Sequence, residues 1–316
     1  MESHMEGKVQ DILDEVGKVI RGKDEAISLV LTAILARGHI LIEDIPGVGK
    51  TTLAVAFSRA MELTERRLQF TPDVLPSDVV GFNMLDADGE MQYKPGAILC
   101  NLLLADEINR TSPKTQSALL EVMEEGTVTV DGVTRQVPRP FIVLATQNPV
   151  GSFGTQRLPE AQMDRFLICV SMGYPDLEDE IAMVKSRHRN RPLDQVQPVI
   201  SGEELLDMQE ETENIFIHDA LYKYMTLLAR DTRENEHAEL GLSPRGTLAL
   251  GKMARAYAYI RGRSYCVPKD IKAALYDVGI HRIRLSQKAR INGKKPEDIL
   301  EEALAHVREP RLGERV

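Results

Sequence analysis

Tryptophan is absent from the 316 residues, and the remaining aromatics amount to 7 Phe and 8 Tyr. So sparse a supply argues against a stacking platform for nucleic-acid bases. Cysteine is scarce too: Cys100, Cys169 and Cys266 are odd in number, far apart and set among apolar neighbours. They read as free thiols of a reducing compartment, and the lack of any C-x-x-C or His/Cys cluster removes the usual signature of a metal site. No run reaches the roughly 18 apolar residues of a membrane span, and the N-terminus has no signal-peptide core, so a cytoplasmic location is expected. A net charge of −9 speaks against a generalised nucleic-acid or membrane surface, while leaving room for a local basic pore.

What the chain does have is length for two domains and a sharply punctuated apolar pattern. The organising stretch is residues 39–52, HILIEDIPGVGKTT. Ile40-Leu41-Ile42 reads as a buried strand, Ile45-Pro46-Gly47-Val48-Gly49 as a loop, and Lys50-Thr51-Thr52 as the opening of a helix that runs to Ala60. Strand, glycine loop and helix in that order form a phosphate-binding loop, because backbone N–H groups and the helix dipole converge on one spot. Lys50 is then placed to reach the β- and γ-phosphates and Thr51 to hold Mg2+. Asp44 stands where the strict G-x-x-x-x-G-K-[ST] pattern has its first glycine, and a carboxylate is unwelcome there unless its side chain turns away. Two amphipathic helices precede the strand, one with Val9, Ile12, Leu13, Val16 and Ile20 at helical spacing, the other capped near Lys23-Asp24 and ended by Gly38. Val19 and Ile20, between them, either wall an adenine pocket or simply pack the core.

A second informative stretch is Leu102-Leu103-Leu104-Ala105, an apolar strand ending in Asp106-Glu107. Asp106 suits Mg2+, and Glu107 is placed to orient and deprotonate an attacking water. Before it, a short strand is expected over 67–70, and residues 84–93, rich in turn formers and acids, read as a solvent-facing insertion. After it, Ser112-Pro113 starts a helix closed by Gly126, and residues 127–137 alternate around Asp131-Gly132 as a hairpin. A buried strand over 141–145 ends in Thr146-Gln147-Asn148-Pro149, where Asn148 either contacts the γ-phosphate or its water, or only makes a turn. Residues 158–166 read as a short helix leading into a strand over 167–171, and Arg157 and Arg165 are available to act in trans or to pair with nearby carboxylates. Beyond a boundary at 191–198 the pattern is all helical, with a capping box at Ser201-Gly202-Glu203-Glu204. One of these helices starts Ser243-Pro244-Arg245, so Arg245 opposes the helix dipole unless it points at an anion elsewhere.

Together these stretches resemble the MoxR-type ATPases of the AAA+ class: residues 41–52 (LIEDIPGVGKTT), 69–81 (QFTPDVLPSDVVG), 103–112 (LLADEINRTS), 145–149 (ATQNP), 158–166 (LPEAQMDRF) and 241–245 (GLSPR). The resemblance implies a three-layer α/β core with five parallel strands over 6–190 and an all-helical lid over 199–316. It implies ATP hydrolysis with Mg2+: Pro46, Gly47, Val48, Gly49, Lys50, Thr51 and Thr52 around the phosphates, Asp106 and Glu107 as Walker B, Asn148 as sensor 1. Arg245, as sensor 2, would join Lys50 and Mg2+ in neutralising γ-phosphate charge, while Arg165, as arginine finger, would serve a neighbour's ATP. A homo-oligomer, typically a hexameric ring, is implied, as is chaperone-like maturation of a client complex alongside a protein with a von Willebrand factor A domain. The insertion and the hairpin match segments that face a partner or the ring pore. The rival class is a helicase-like nucleic-acid motor, disfavoured by the acidic charge.

Overall fold

The computed structural model describes residues 2–44, 47–148, 158–187 and 192–311. Pro46, Pro149, Arg157 and Arg191, where the expected domain boundary begins, lie outside the described residues. Helices α1 (Glu2–Gly17) and α2 (Asp24–Leu35) lead into β1 (Ile40–Glu43) and α3 (Lys50–Ala60). β2 (Glu65–Gln69) and the short α4 (Pro76–Val80) precede a hairpin of β3 (Phe82–Leu85) and β4 (Met91–Lys94). Then come β5 (Leu102–Asp106), a 3-10 turn (Ile108–Arg110), α5 (Pro113–Glu125), a second hairpin of β6 (Thr127–Val130) and β7 (Val133–Gln136), and β8 (Ile142–Gln147). α6 (Glu160–Met163), β9 (Ile168–Val170) and α7 (Leu177–Arg187) follow. The remainder is α8 (Gly202–Glu213), α9 (Asp219–Glu234), β10 (Ala238–Leu240), α10 (Pro244–Ile260), α11 (Pro268–Gly279), β11 (Arg284–Leu285), α12 (Gln287–Ile291) and α13 (Pro296–His306).

The central sheet has the order β2-β5-β8-β1-β9 with all neighbours parallel. Its inner strands are continuous apolar runs because helices cover both faces. Successive side chains alternate between two cores: Ile40, Ile42, Leu102, Leu104, Ile142 and Leu144 join α1, α2 and α3, while Leu41, Leu103, Ala105, Val143 and Ala145 join α5. The strand expected over 67–70 is β2, which starts two residues earlier and ends one residue earlier. It is an edge strand whose side chains are mostly exposed, which is why it carries no apolar run.

The lid is helical as expected, with one addition, a short antiparallel ribbon of β10 and β11. Ser201 and Glu204 form the expected capping box, Glu204 N–H donating to Ser201 Oγ at 3.2 Å and Ser201 N–H to Glu204 Oε2 at 2.8 Å. The lid is continuous with one of the two cores: Leu250, Met253 and Leu205 share an apolar cluster with Ile12, Val16 and Leu31. That packing fixes where the amino end of α10 lies. Among the described residues no helix is long and apolar enough to cross a membrane, and no group of His, Cys, Asp and Glu is arranged to hold a metal. The three cysteines are free, and burial raises their thiol pKa values to about 11 for Cys100 and about 12 for Cys169 and Cys266.

Candidate active site

Parallel register brings the carboxyl ends of β1, β8, β5 and β2 to one rim, with Glu43 opposite Gln147 and Asp106 opposite Gln69. At that rim Gly47 and Gly49 take φ of +91° and +96°, which a side chain would resist, so the loop can curl toward α3. Gly49 caps α3 without any side-chain hydrogen bond, and a Cβ at Gly47 would meet nothing within 4 Å. The first N–H groups of α3, with no side chain at the cap, suit phosphate oxygens. Lys50 is buried, with Nζ donating to the Asp44 carbonyl at 2.6 Å. Burial pulls its pKa down, and the carboxylates of Asp44, Asp106, Glu107 and Glu43 oppose that pull. Val48 and Val19 pack with Ile20 in one cluster, and Ile20 Cδ1 lies 3.8 Å from where a Cβ of Gly49 would stand. The pair proposed for the adenine thus borders the loop and also belongs to the core.

Asp44 does turn away. Its Oδ2 accepts from Met172 N–H at 2.6 Å, Gly173 N–H at 2.7 Å and Ser171 Oγ at 3.2 Å. The carboxylate therefore clamps the chain leaving β9 to the start of the phosphate loop. The next residue, Tyr174, accepts from Lys23 Nζ at 2.7 Å through its carbonyl, which ties in the α1–α2 connection beside Ile20.

Beside the loop, Asp106 and Glu107 have different partners. Asp106 Oδ1 accepts from Thr146 Oγ1 at 2.6 Å and Oδ2 from Arg67 Nη2 at 2.6 Å. Glu107 adopts φ +57°, a conformation that costs a non-glycine residue free energy and recurs at functional sites. Thr146 Oγ1 accepts the Glu107 N–H at 2.9 Å, while Asn148 Nδ2 donates to Glu107 Oε1 at 2.9 Å and Arg110 Nη1 to Oε2 at 2.7 Å. Partial burial works to raise the Glu107 pKa, but the hydrogen bonds from Arg110 and Asn148 outweigh it and hold the carboxyl below the usual glutamate value. It is a charged, oriented acceptor at neutral pH. Asn148 is more than a turn residue here: its side chain grips Glu107.

Arg165 and Arg245 lie elsewhere. Leu167 N–H bonds the His39 carbonyl at 2.8 Å, which sets the Arg165 segment at the amino end of β1. The phosphate loop is at the other end of that strand, roughly 13 Å away at 3.3 Å per residue. Arg165 Nη1 donates to the Leu120 carbonyl at 3.0 Å and pairs with Glu124 Oε2, and Arg245 pairs with Oε1 of the same carboxylate. The two arginines share a cavity of about 280 Å³ with Arg37, His39, Lys252 and Arg282. Arg245, expected beside Lys50, thus stands with Arg165 instead, because α10 packs on α1 and α2 and brings its first turn to the amino end of the sheet.

The lid also holds the segment that carries Arg165. Arg282, with a side chain only 3% exposed, sends Nε to Asp164 Oδ1 at 2.7 Å, Nη1 to the Leu167 carbonyl at 3.0 Å and Nη2 to the Phe166 carbonyl at 2.6 Å. Ser243 Oγ adds a bond to Asp164 Oδ2 at 2.8 Å. Sequence reasoning missed Arg282, Glu124, Thr146, Arg67 and Arg110. Arg110 and Thr146 lie next to recognisable strings and were within reach of a closer reading. Arg282 carries no local signal, since it follows an ordinary helix, and Glu124 carries only a weak one, an acid in the last turn of α5 where it opposes the helix dipole.

Comparisons with known proteins agree with this geometry. Residues 39–168 match the ATPase family associated with various cellular activities (AAA), and residues 230–303 match the AAA lid domain. An uncharacterised protein, YeaC of Bacillus subtilis, is 44% identical over 94% of this chain and 93% of its own. Chaperone MoxR1 of Mycobacterium tuberculosis is 38% identical over 94% of this chain and 81% of its own, and protein MoxR of Methylorubrum extorquens is 30% identical over 86% of each. The crystal structure of a candidate ATPase from Cytophaga hutchinsonii superposes with a TM-score of 0.91 at 37% identity, covering 98% of this chain and 97% of that one. Strand order, phosphate loop, helical lid and sequence identity over nearly the whole length lead to one conclusion: the chain belongs to the MoxR family of AAA+ ATPases, and it hydrolyses ATP.

Proposed function

We propose that hydrolysis depends on Mg2+, takes place at a site shared between neighbouring copies in a ring, and drives remodelling of a partner protein complex. The observation that carries this reading is the separation of Lys50 and Glu107 from Arg165 and Arg245, which sit at opposite ends of one sheet. A second copy can supply what the first lacks at its own phosphate loop.

In this reading Pro46, Gly47, Val48, Gly49, Lys50 and Thr52 cradle the phosphates, and Val19 and Ile20 contact the adenine. Thr51 and Asp106 are the residues to hold Mg2+, which when bound neutralises charge on the phosphate oxygens. Glu107, aligned by Asn148, accepts a proton from the water that attacks the γ-phosphorus. A bond forms between that water's oxygen and phosphorus as the bond to the β–γ bridging oxygen breaks, and ADP leaves with the electron pair. Arg165 and Arg245 of a neighbour face the charge that develops on the γ-phosphoryl oxygens. The units 6–190 and 199–316, and a cytoplasmic setting, complete the proposal.

A protein partner is supported by two adjoining hairpins. Phe82, Leu85 and Met91 on β3–β4 and Val133 on β6–β7 are exposed, with Asn83 Nδ2 bonding Asp131 at 2.8 Å and the Arg135 guanidinium 4.0 Å over the Tyr93 ring. Together with the chaperone name of the Mycobacterium relative, this favours a protein client complex over nucleic acid, and a von Willebrand factor A domain partner is part of the same proposal. ATPase activity should be indifferent to added DNA or RNA.

The test of the shared site is complementation. Arg165→Ala should lose on the order of 10^3-fold or more in turnover while keeping its affinity for a fluorescent ATP analogue. Mixing it with Lys50→Ala, which has a dead phosphate loop and an intact arginine face, should restore activity. No recovery in a mixture that light scattering shows to be assembled would overturn the shared site.

A further inference from the structure

Three residues around the arginine cavity break local rules at once. Glu124 lies in the last turn of α5, where a negative charge opposes the helix dipole. Arg245 lies in the first turn of α10, where a positive charge does the same. Arg37 takes φ +53°, the left-handed region that favours glycine. Local preferences given up together in one place point to a functional site. The first two violations meet each other, since Arg245 finds in Glu124 the anion that its position demands.

We propose that Glu124 is a positioning residue that holds Arg165 and Arg245 as a preformed pair for the nucleotide phosphates of an adjacent copy, an inference that rests on the shared-site reading above. The two carboxylate oxygens divide the work, Oε2 to Arg165 Nη1 and Oε1 to Arg245 Nη2. Each guanidinium spends one nitrogen on Glu124. Among the described residues Arg165 Nε and Nη2 and Arg245 Nε and Nη1 have no hydrogen-bond partner, so the pair keeps two donor edges for an incoming phosphate. Without the carboxylate, two cations this close repel and splay apart.

The surrounding charge suits a polyanion. Arg37, Arg165, Arg245, Lys252 and Arg282 line the cavity against Glu124 and Asp164, five cations facing two acids. His39 adds no charge at neutral pH, because burial lowers its pKa to about 4. Its ring ties the end of α5 to the sheet, with Nε2 on the Met123 carbonyl at 3.0 Å and Nδ1 accepting the Val143 N–H at 3.0 Å. Glu124 therefore projects from an anchored helix end, and its 40% exposure leaves it replaceable without opening the core.

Glu124→Gln keeps the shape and one acceptor but removes the charge. Turnover of the assembled protein should fall about 10- to 100-fold, the cost expected of a misplaced catalytic group. Affinity for a fluorescent ATP analogue should stay within about twofold, since the phosphate loop is untouched. Mixing with Lys50→Ala, which brings an intact arginine pair, should restore turnover. Unchanged turnover in Glu124→Gln would overturn the proposal. So would a loss that Lys50→Ala fails to rescue while the mixture of Arg165→Ala with Lys50→Ala recovers, because Glu124 would then act within its own subunit. If the Arg165→Ala mixture also stays inactive, the shared site itself is wrong and the proposal goes with it.

Discussion

The two ends of the central sheet are assembled in different ways. At the carboxyl end the working residues arrive as short strings, Lys50-Thr51, Asp106-Glu107 and Thr146 to Asn148, because parallel strands in register finish at one rim. At the amino end Arg37, Glu124, Arg165, Arg245 and Arg282 come from five separate segments that helix packing brings round one cavity. The carboxylates differ in the same sense. Glu107 is held by its neighbours, with Asn148 and Arg110 each bonded to one oxygen, whereas Glu124 holds Arg165 and Arg245. A site made of strand tips is rigid once the sheet forms. A site made of helix ends depends instead on how the lid packs against the core.

That contrast can be broken from either side. Glu107→Gln strikes only the carboxyl end and should lower turnover about 10^2- to 10^4-fold with nucleotide affinity retained; normal single-turnover rates would remove Glu107 from the chemistry. Arg282→Met strikes only the amino end. Breaking its pair with Asp164, the less exposed of the two being nearly fully buried, should cost about 3 kcal/mol in urea unfolding. It should also cut turnover more than it weakens ATP binding, and a variant as stable as the parent would show that the Asp164 node is dispensable.

Smaller effects sharpen the comparison further. Asp44→Ala should cost about 2 kcal/mol, the loss of charge-assisted bonds to Met172 and Gly173, and weaken ATP binding more than it slows turnover. An unchanged melting temperature would mean that the clamp on the chain after β9 is idle. The smallest change is with pH. Burial holds His39 at about 4 and His281 well below 6.5, so below pH 6.5 the unfolded chain binds more protons than the folded one. Stability is then full above pH 6.5 and falls as pH drops toward 4, by about 1 kcal/mol near pH 5 from His39, one edge of which opens onto the cavity. His39→Gln should flatten that slope in part, leaving the share of His281; an unaltered slope would assign it to other groups.

Much of the carboxyl end was legible in the residues, because its geometry is local. The strand at Ile40–Glu43 and the helix at Lys50–Ala60 follow from apolar runs and glycines. The Asp131-Gly132 signal marks the hairpin of Thr127–Val130 and Val133–Gln136. Asp44 was legible only as a conflict. A carboxylate next to phosphate had to face away, but what it faces, the N–H groups of Met172 and Gly173, is more than 120 residues along the chain. Arg245 was a conflict of the same kind, and the residue that resolves it, Glu124, is marked in the chain only by an acid's unfavourable place at the end of a helix, with nothing to say which cation it meets.

The sequence by itself determined the family, the nucleotide chemistry and the order of the elements, since these rest on contiguous motifs whose backbone geometry is nearly self-contained. Only the tertiary structure decided that Arg245 belongs with Arg165 rather than with Lys50, that Arg282 secures the Arg165 segment, and that one carboxylate joins the two arginines. The physical reason is that helix docking is set by apolar stripes, here Leu250 and Met253 against Val16 and Leu31. Those stripes fix which helix end meets which sheet end without leaving any mark on the polar residues that are thereby brought together.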